Sequence, residues 1–191
     1  MPRGRAHFAR VRIAAALTIL LAACQPPAVD DYLERGLTRD DLPQASAPLS
    51  SPDTARALWA QAQQPGRLLF GVPGETPLLA MHCMGTGEEA RLTFTRFVRA
   101  DREAQAMMAL VGNSHALRLP VDSVWNGRAW LWQGSVAADH PDLDALTGIR
   151  EVEATVPGAG TLVMAPSPLT RELVVACRSG AETTAAAPPA R

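Results

Sequence analysis

The stretch Leu78-Leu79-Ala80-Met81-His82-Cys83 sets a histidine beside a cysteine, two side chains from which nucleophilic and metal chemistry is often built. A catalytic pair needs both groups within hydrogen-bond reach. This stretch is apolar around them and reads as a buried strand, on which neighbours point to opposite faces. His82 and Cys83 are therefore expected to diverge, with Cys83 sharing a face with Leu79 and Met81. His82, His115 and His140 show no metal-ligand spacing such as H-x-x-x-H and are expected to be solitary structural or surface residues. Gly112-Asn113-Ser114-His115-Ala116 has the outline of a nucleophile elbow. That motif needs a strand-to-helix turn, and this segment reads strand to strand. Asp139, Asp142 and Asp144 lack the spacing, glycine and terminal glutamate of a calcium loop, and read as capping and solvated charges. No lysine occurs, which excludes P-loop, Schiff-base and Ser-Lys mechanisms. No catalytic residue, metal or cofactor is assigned. The best binding candidates are Trp125, Trp130 and Trp132, with Arg128, toward one end of one hairpin. Exposed, such rings stack on sugars or anchor a protein partner; buried, they are core.

The elements that carry these residues follow an export signal. Arg3, Arg5, Arg10 and Arg12 make a cationic start, and Ile13 to Leu21 is an apolar run far short of the ~20 residues that span a bilayer. Leu21-Ala22-Ala23-Cys24 then resembles a bacterial lipobox. The resemblance implies cleavage before Cys24 and two or three acyl chains on it, enough for stable membrane anchoring. Gln25, in place of Asp, resembles the outer-membrane sorting class. The expected localisation is the cell envelope, lipid-anchored to the outer membrane and facing the periplasm. The chain has 18 basic and 19 acidic residues. Loss of residues 1–23 removes the four arginines named above and leaves a mildly acidic protein, a poor partner for nucleic acid.

Residues 24–51, rich in Pro, Ala, Asp and Ser, read as the lipidated cysteine and a flexible tether. A domain is expected over 52–178 and a low-complexity, disordered tail over 179–191. Ser51-Pro52-Asp53 is a helix start, and Ala55, Leu58, Trp59 and Ala62 fall on one helical face. Strands are expected at 67–71, 78–84, 91–99, 104–111 and 115–125. Asn126-Gly127 predicts a two-residue type I′ hairpin with Trp125 opposite Arg128 and Ser123 opposite Trp130. One face of that hairpin then carries Leu117, Leu119, Val121, Trp125, Trp130, Trp132 and Val136. Pro120 cannot donate to a ladder, so its strand is expected at an edge or bulged. His140-Pro141 opens a short helix, and a last hairpin surrounds Pro157-Gly158. Ser167-Pro168 starts a C-terminal helix carrying Leu169, Leu173 and Cys177, with a strand through Leu173, Val175 and Cys177 as the rival. The sum is a mainly β (α+β) domain: an antiparallel β-sandwich or barrel-like sheet of about seven to eight strands, with an N-terminal helix, a short helix near 140–147 and a C-terminal helix.

With Cys24 lipidated, two cysteines remain in an oxidising compartment, and both point toward the core. Cys83 and Cys177 are expected to form a disulfide.

The cadence F-G-x-P-x-x-x-P-x-L-x-x-x-C (Phe70 to Cys83), the D-L-D-A-L segment (Asp142 to Leu146) and a proline-started segment ending in cysteine are similar to those of small envelope lipoproteins of high-GC alphaproteobacteria. That resemblance covers residues 66–178 and implies a fold, with no activity attached. Membrane-bound lysozyme inhibitors are also small β-rich lipoproteins, but use a Ser-Gly-x-x-Tyr loop, and the single tyrosine here is Tyr32 in the tether. The expected function is a non-enzymatic, membrane-anchored module that binds an envelope protein or cell-wall component. The alternative is a periplasmic hydrolase-like enzyme, which requires His115 or His140 to meet a carboxylate in a cleft.

Overall fold

The computed structural model describes residues 45–180. The lipobox, Cys24, most of the tether and the tail beyond Gly180 lie outside the described residues.

Among the described residues, nine strands form one sheet: β1 Leu58–Gln61, β2 Arg67–Gly71, β3 Leu79–Met84, β4 Arg91–Arg99, β5 Gln105–Gly112, β6 His115–Trp125, β7 Trp130–Ala137, β8 Val152–Thr155 and β9 Thr161–Met164. Their spatial order is β1-β2-β3-β4-β7-β6-β5-β8-β9, every pair is antiparallel, and the sheet curls into a nearly closed barrel. Alternation decides what fills it. Phe70, Leu79, Met81, Leu92, Phe94, Met108, Leu110, Leu117, Val121 and Leu162 are all buried and form one core.

One end of the barrel is plugged. A 3-10 helix, Pro141–Leu146, buries Leu143, Ala145 and Leu146. The helix α1, Pro168–Ser179, buries Thr170, Leu173, Val174 and Cys177. The start of α1 is the one read from the sequence. Ser167 Oγ accepts from Leu169 N, Pro168 occupies the first turn, and Gly180 closes the helix with φ 66°. Arg178 fastens the two helices, donating to Asp144 Oδ1 at 2.8 Å and to the carbonyls of Ala138 and His140.

The seam between β1 and β9 is bridged by the chain that enters β1. Leu49 N donates to Gly158 O, and Ser51 Oγ accepts from Thr161 N, both at 2.9 Å. Ser51 Cα would lie 2.8 Å from a Cβ at residue 160, so Gly160 is required where the two segments touch. Part of the expected tether therefore packs on the domain.

Several expectations are corrected. No helix forms over 52–62. Asp53 Oδ1 accepts from Ala55 N in a local turn, and Leu58–Gln61 is strand β1, paired with β2 and bringing the sheet to nine strands among the described residues. Trp59 stacks at 5.3 Å on Phe70, so the apolar pattern serves a strand edge and not a helical face. The Asn126-Gly127 hairpin has a four-residue loop. Asn126 Oδ1 accepts from Arg128 N and Ala129 N, and Trp125 pairs with Trp130, Ser123 with Trp132. The register thus differs by two residues, which leaves each side chain on its expected face. The two-residue turn occurs instead at Asn113-Ser114, both with positive φ, between paired Gly112 and His115.

Pro120 is not on an edge strand, because β6 lies between β5 and β7. Counting from the Gly112–His115 closing pair, Pro120 falls at a non-hydrogen-bonded position toward β5. On its other side β6 pairs with β7 only over Asp122–Trp125. The missing N–H therefore points where no ladder forms. Gly134 makes the close approach there possible, since an added methyl would strike the Pro120 carbonyl. The segment at 140–147 is a 3-10 helix, and the C-terminal segment is the helix expected, not the rival strand.

Candidate functional site

His82 and Cys83 diverge as strand geometry requires. Cys83 joins Cys177 with a Cα–Cα distance of 5.7 Å, across 94 positions of sequence. His82 pairs with Arg67 of β2 and Thr93 of β4. Burial, and then the neighbouring Arg67 charge, hold its imidazole below the ordinary histidine range. Neither residue is arranged as a nucleophile or a base.

His115 does meet a carboxylate. Its Nδ1 lies 3.7 Å from Asp142 Oδ1, longer than a hydrogen bond, and the two side chains are 37% and 40% exposed. His140 Nδ1 accepts from Asp142 N at 3.2 Å, which makes it the cap of the 3-10 helix. The Gly112–Ala116 segment is a strand-to-strand hairpin and not a nucleophile elbow. Asn113 pins that hairpin to the plug: its Nδ2 donates to Ala145 O at 2.7 Å and its Oδ1 accepts from Arg150 N at 2.9 Å. Among the described residues, no group of three or more His, Cys, Asp or Glu side chains is placed to hold a metal.

The three hairpin tryptophans share a face but not an environment. Trp132 is 8% exposed and belongs to the core. Trp130 is half-buried at the rim, and Trp125 is 52% exposed at the hairpin tip. The rings of Trp125 and Trp130 lie 5.6 Å apart at 52°. The Arg102 guanidinium stands 6.0 Å over Trp130, within cation–π range, and Arg128 is exposed in the loop beyond. The face therefore runs from core to solvent along one hairpin. Its outer end is an aromatic pair flanked by arginines.

Sequence reasoning passed over one residue. Arg96 is 3% exposed on the inner face of β4, in line with Leu92 and Phe94. Its alternation with those two positions was the available signal. Its Nη1 donates to Leu78 O at 2.9 Å and its Nη2 to Ala159 O at 3.2 Å, while its Nε is buried with no acceptor. Burial lowers its pKa to about 10, so it remains a cation at neutral pH. It sits at the barrel end opposite the α1 plug, beneath the turn that carries Ala159.

Compared with known proteins, the chain matches no family model, no curated protein and no solved structure. The likeness to small envelope lipoproteins therefore rests on its sequence motifs alone.

Proposed function

We propose that this protein is a lipid-anchored envelope lipoprotein whose barrel is a non-enzymatic binding module. Cys24 carries the acyl chains and holds the protein to the outer membrane, and the Trp125–Trp130 rim engages a cell-wall glycan or an envelope protein. One observation carries the binding reading: an exposed tryptophan held against a second one at a hairpin tip, with Arg102 and Arg128 beside them. Large exposed rings cost solvation and serve as anchors at interfaces. The Asn126 side chain closes the turn between the two strands that carry the pair, accepting from Arg128 N and Ala129 N.

The enzymatic alternative rests on the His115–Asp142 contact. An aspartate at Nδ1 is how a base histidine is oriented. The separation and the exposure of the pair favour a screened surface interaction.

Co-sedimentation with purified sacculi, with crosslinking in intact envelopes from a photoreactive group at the exposed neighbouring position 124 in both the wild-type and the Trp125→Ala background, tests the binding reading. The expected result is retention on one of the two, lost in the Trp125→Ala variant. Equal retention or equal crosslinking by Trp125→Ala and the wild type, or none by either, overturns it.

A further inference from the structure

Strand β5 lies inside the sheet, between β6 and β8. An antiparallel strand with one face in water usually sets apolar side chains inward and polar ones outward. Over Met107–Val111, β5 departs from that pattern. Met108 and Leu110 are buried in the core. Met107 and Val111, 45% and 49% exposed, alternate with them on the outer face, with Ala109 between. Across the β5–β6 ladder Met107 stands opposite Pro120, and Val111 opposite Ala116, which widens the apolar stripe onto β6. Single exposed apolar residues are ordinary, whereas a contiguous group on two paired strands marks a contact surface.

A charge of each sign flanks the stripe. Arg118 on β6 stands opposite Ala109, and Glu153 on β8 stands opposite Val111. Both are exposed. They lie on either side of β5 and are offset by two residues, so about 12 Å separates their backbones by ordinary strand spacing and rise. None of the ion pairs among the described residues includes either one. Asp122, farther along β6, is already engaged, accepting from Gln105 Nε2 at 3.0 Å.

We propose that two copies of this chain pair through this face, related by a two-fold axis. The axis lies in the plane of contact. It crosses β5 between Ala109 and Val111, at right angles to the line from Arg118 to Glu153. Rotation about it sets each Arg118 against the other copy's Glu153 and lays the two apolar stripes across each other. The charge order selects this occupant. A stripe with a cation on one side and a carboxylate on the other complements itself when turned over. An anionic lipid surface is repelled by Glu153, and a partner of one charge sign meets one flank of its own sign. Packed sheets lie about 10 Å apart, a gap that Met107 and Val111 fill and an Arg–Glu pair spans. The face is the convex outside of a barrel and about three strands wide, so the expected dimer is a micromolar one. It includes neither Trp125 nor Trp130 and stands whether or not that rim binds a partner.

Sedimentation equilibrium of the exported full chain, carrying Cys24→Ala to avoid detergent, provides the test. A monomer–dimer equilibrium is expected. Arg118→Glu and Glu153→Arg each set like charges against one another at both contacts, and each is expected to weaken the dimer about fivefold or more. The double variant Arg118→Glu/Glu153→Arg restores opposite charges and is expected to return to within about twofold of the parent. Val111→Arg places its charge opposite Glu153 of its own copy, which the folded monomer accommodates, and brings two such charges together near the axis. It is expected to be monomeric. The charge series gives the answer if Val111→Arg fails to fold by near-ultraviolet circular dichroism. A parent that stays monomeric up to about 0.5 mM overturns the proposal. So does a dimer that survives in folded Val111→Arg, one indifferent to the single reversals, or a double reversal no tighter than the singles. A dimer lost in Trp125→Ala overturns it too, by placing the contact at the rim. Retention on sacculi is measured separately, so failure of the pairing leaves the rim reading intact.

Discussion

Cys177 of α1 is bonded to Cys83 of β3, so the helix that plugs the barrel is fastened to its wall. The helix also buries Leu173 and Val174 against the core. The bond closes a loop of 94 residues' separation, which by the chain-entropy account contributes about 4–5 kcal/mol. A Cys83→Ala/Cys177→Ala double variant is expected to lose most of that in urea unfolding. A loss under about 1 kcal/mol would show that packing alone holds the plug.

Trp132 and Trp125 should respond to truncation in opposite ways. Trp132 fills the core, and Trp132→Ala is expected to cost about 3–5 kcal/mol. Trp125 is 52% exposed, and Trp125→Ala is expected to change stability by about 0.5 kcal/mol or less. Urea unfolding of the two variants checks this, and equal losses would contradict the division of the hairpin face into core and rim.

Gly134 stands where β6 leaves the β7 ladder, and a side chain there meets the Pro120 carbonyl and the Val121 side chain. Gly134→Val is expected to destabilise by about 3 kcal/mol or more through overpacking and lost strand approach. Gly127 faces open space, so Gly127→Ala costs only its positive φ of 94°, about 1 kcal/mol. Thermal unfolding of the pair measures the contrast.

His82 predicts the direction of an acid effect. Its folded-state pKa lies below the ordinary value of 6.5, through burial first and Arg67 second. The unfolded chain therefore takes up the proton first as pH falls. Its contribution to stability is full above 6.5 and declines from there down toward the folded-state value. Melting temperatures taken from about pH 7.5 to about pH 5 should show a slope that shrinks in His82→Gln. An unchanged slope would assign the effect to other groups.

Lipidation is read from the sequence and is tested directly. Cys24→Ala is expected to abolish incorporation of a labelled fatty acid and to release the protein into the soluble envelope fraction. Labelling that survives the substitution would refute the assignment of Cys24.

The sequence by itself determined the parts whose cause is local. Ser167-Pro168 starts α1 because N-capping is decided within a few residues. Strand alternation separated His82 from Cys83, and two remaining cysteines pointing inward implied their bond, which the structure shows. Tertiary structure alone decided the rest. Residues 58–61 satisfy a helical pattern as well as a strand, and pairing with β2 chose the strand. The Asn126 and Asn113 turns could each have been the tight hairpin, and the strand pairing shows that only the one at Asn113 is. Trp132 and Trp125 are seven residues apart on one face, yet only the closing of the barrel puts one inside and one in water. Arg96 follows the same rule: alternation placed it inward, but its acceptors, Leu78 just before β3 and Ala159 in the β8–β9 turn, are brought to it only by the fold.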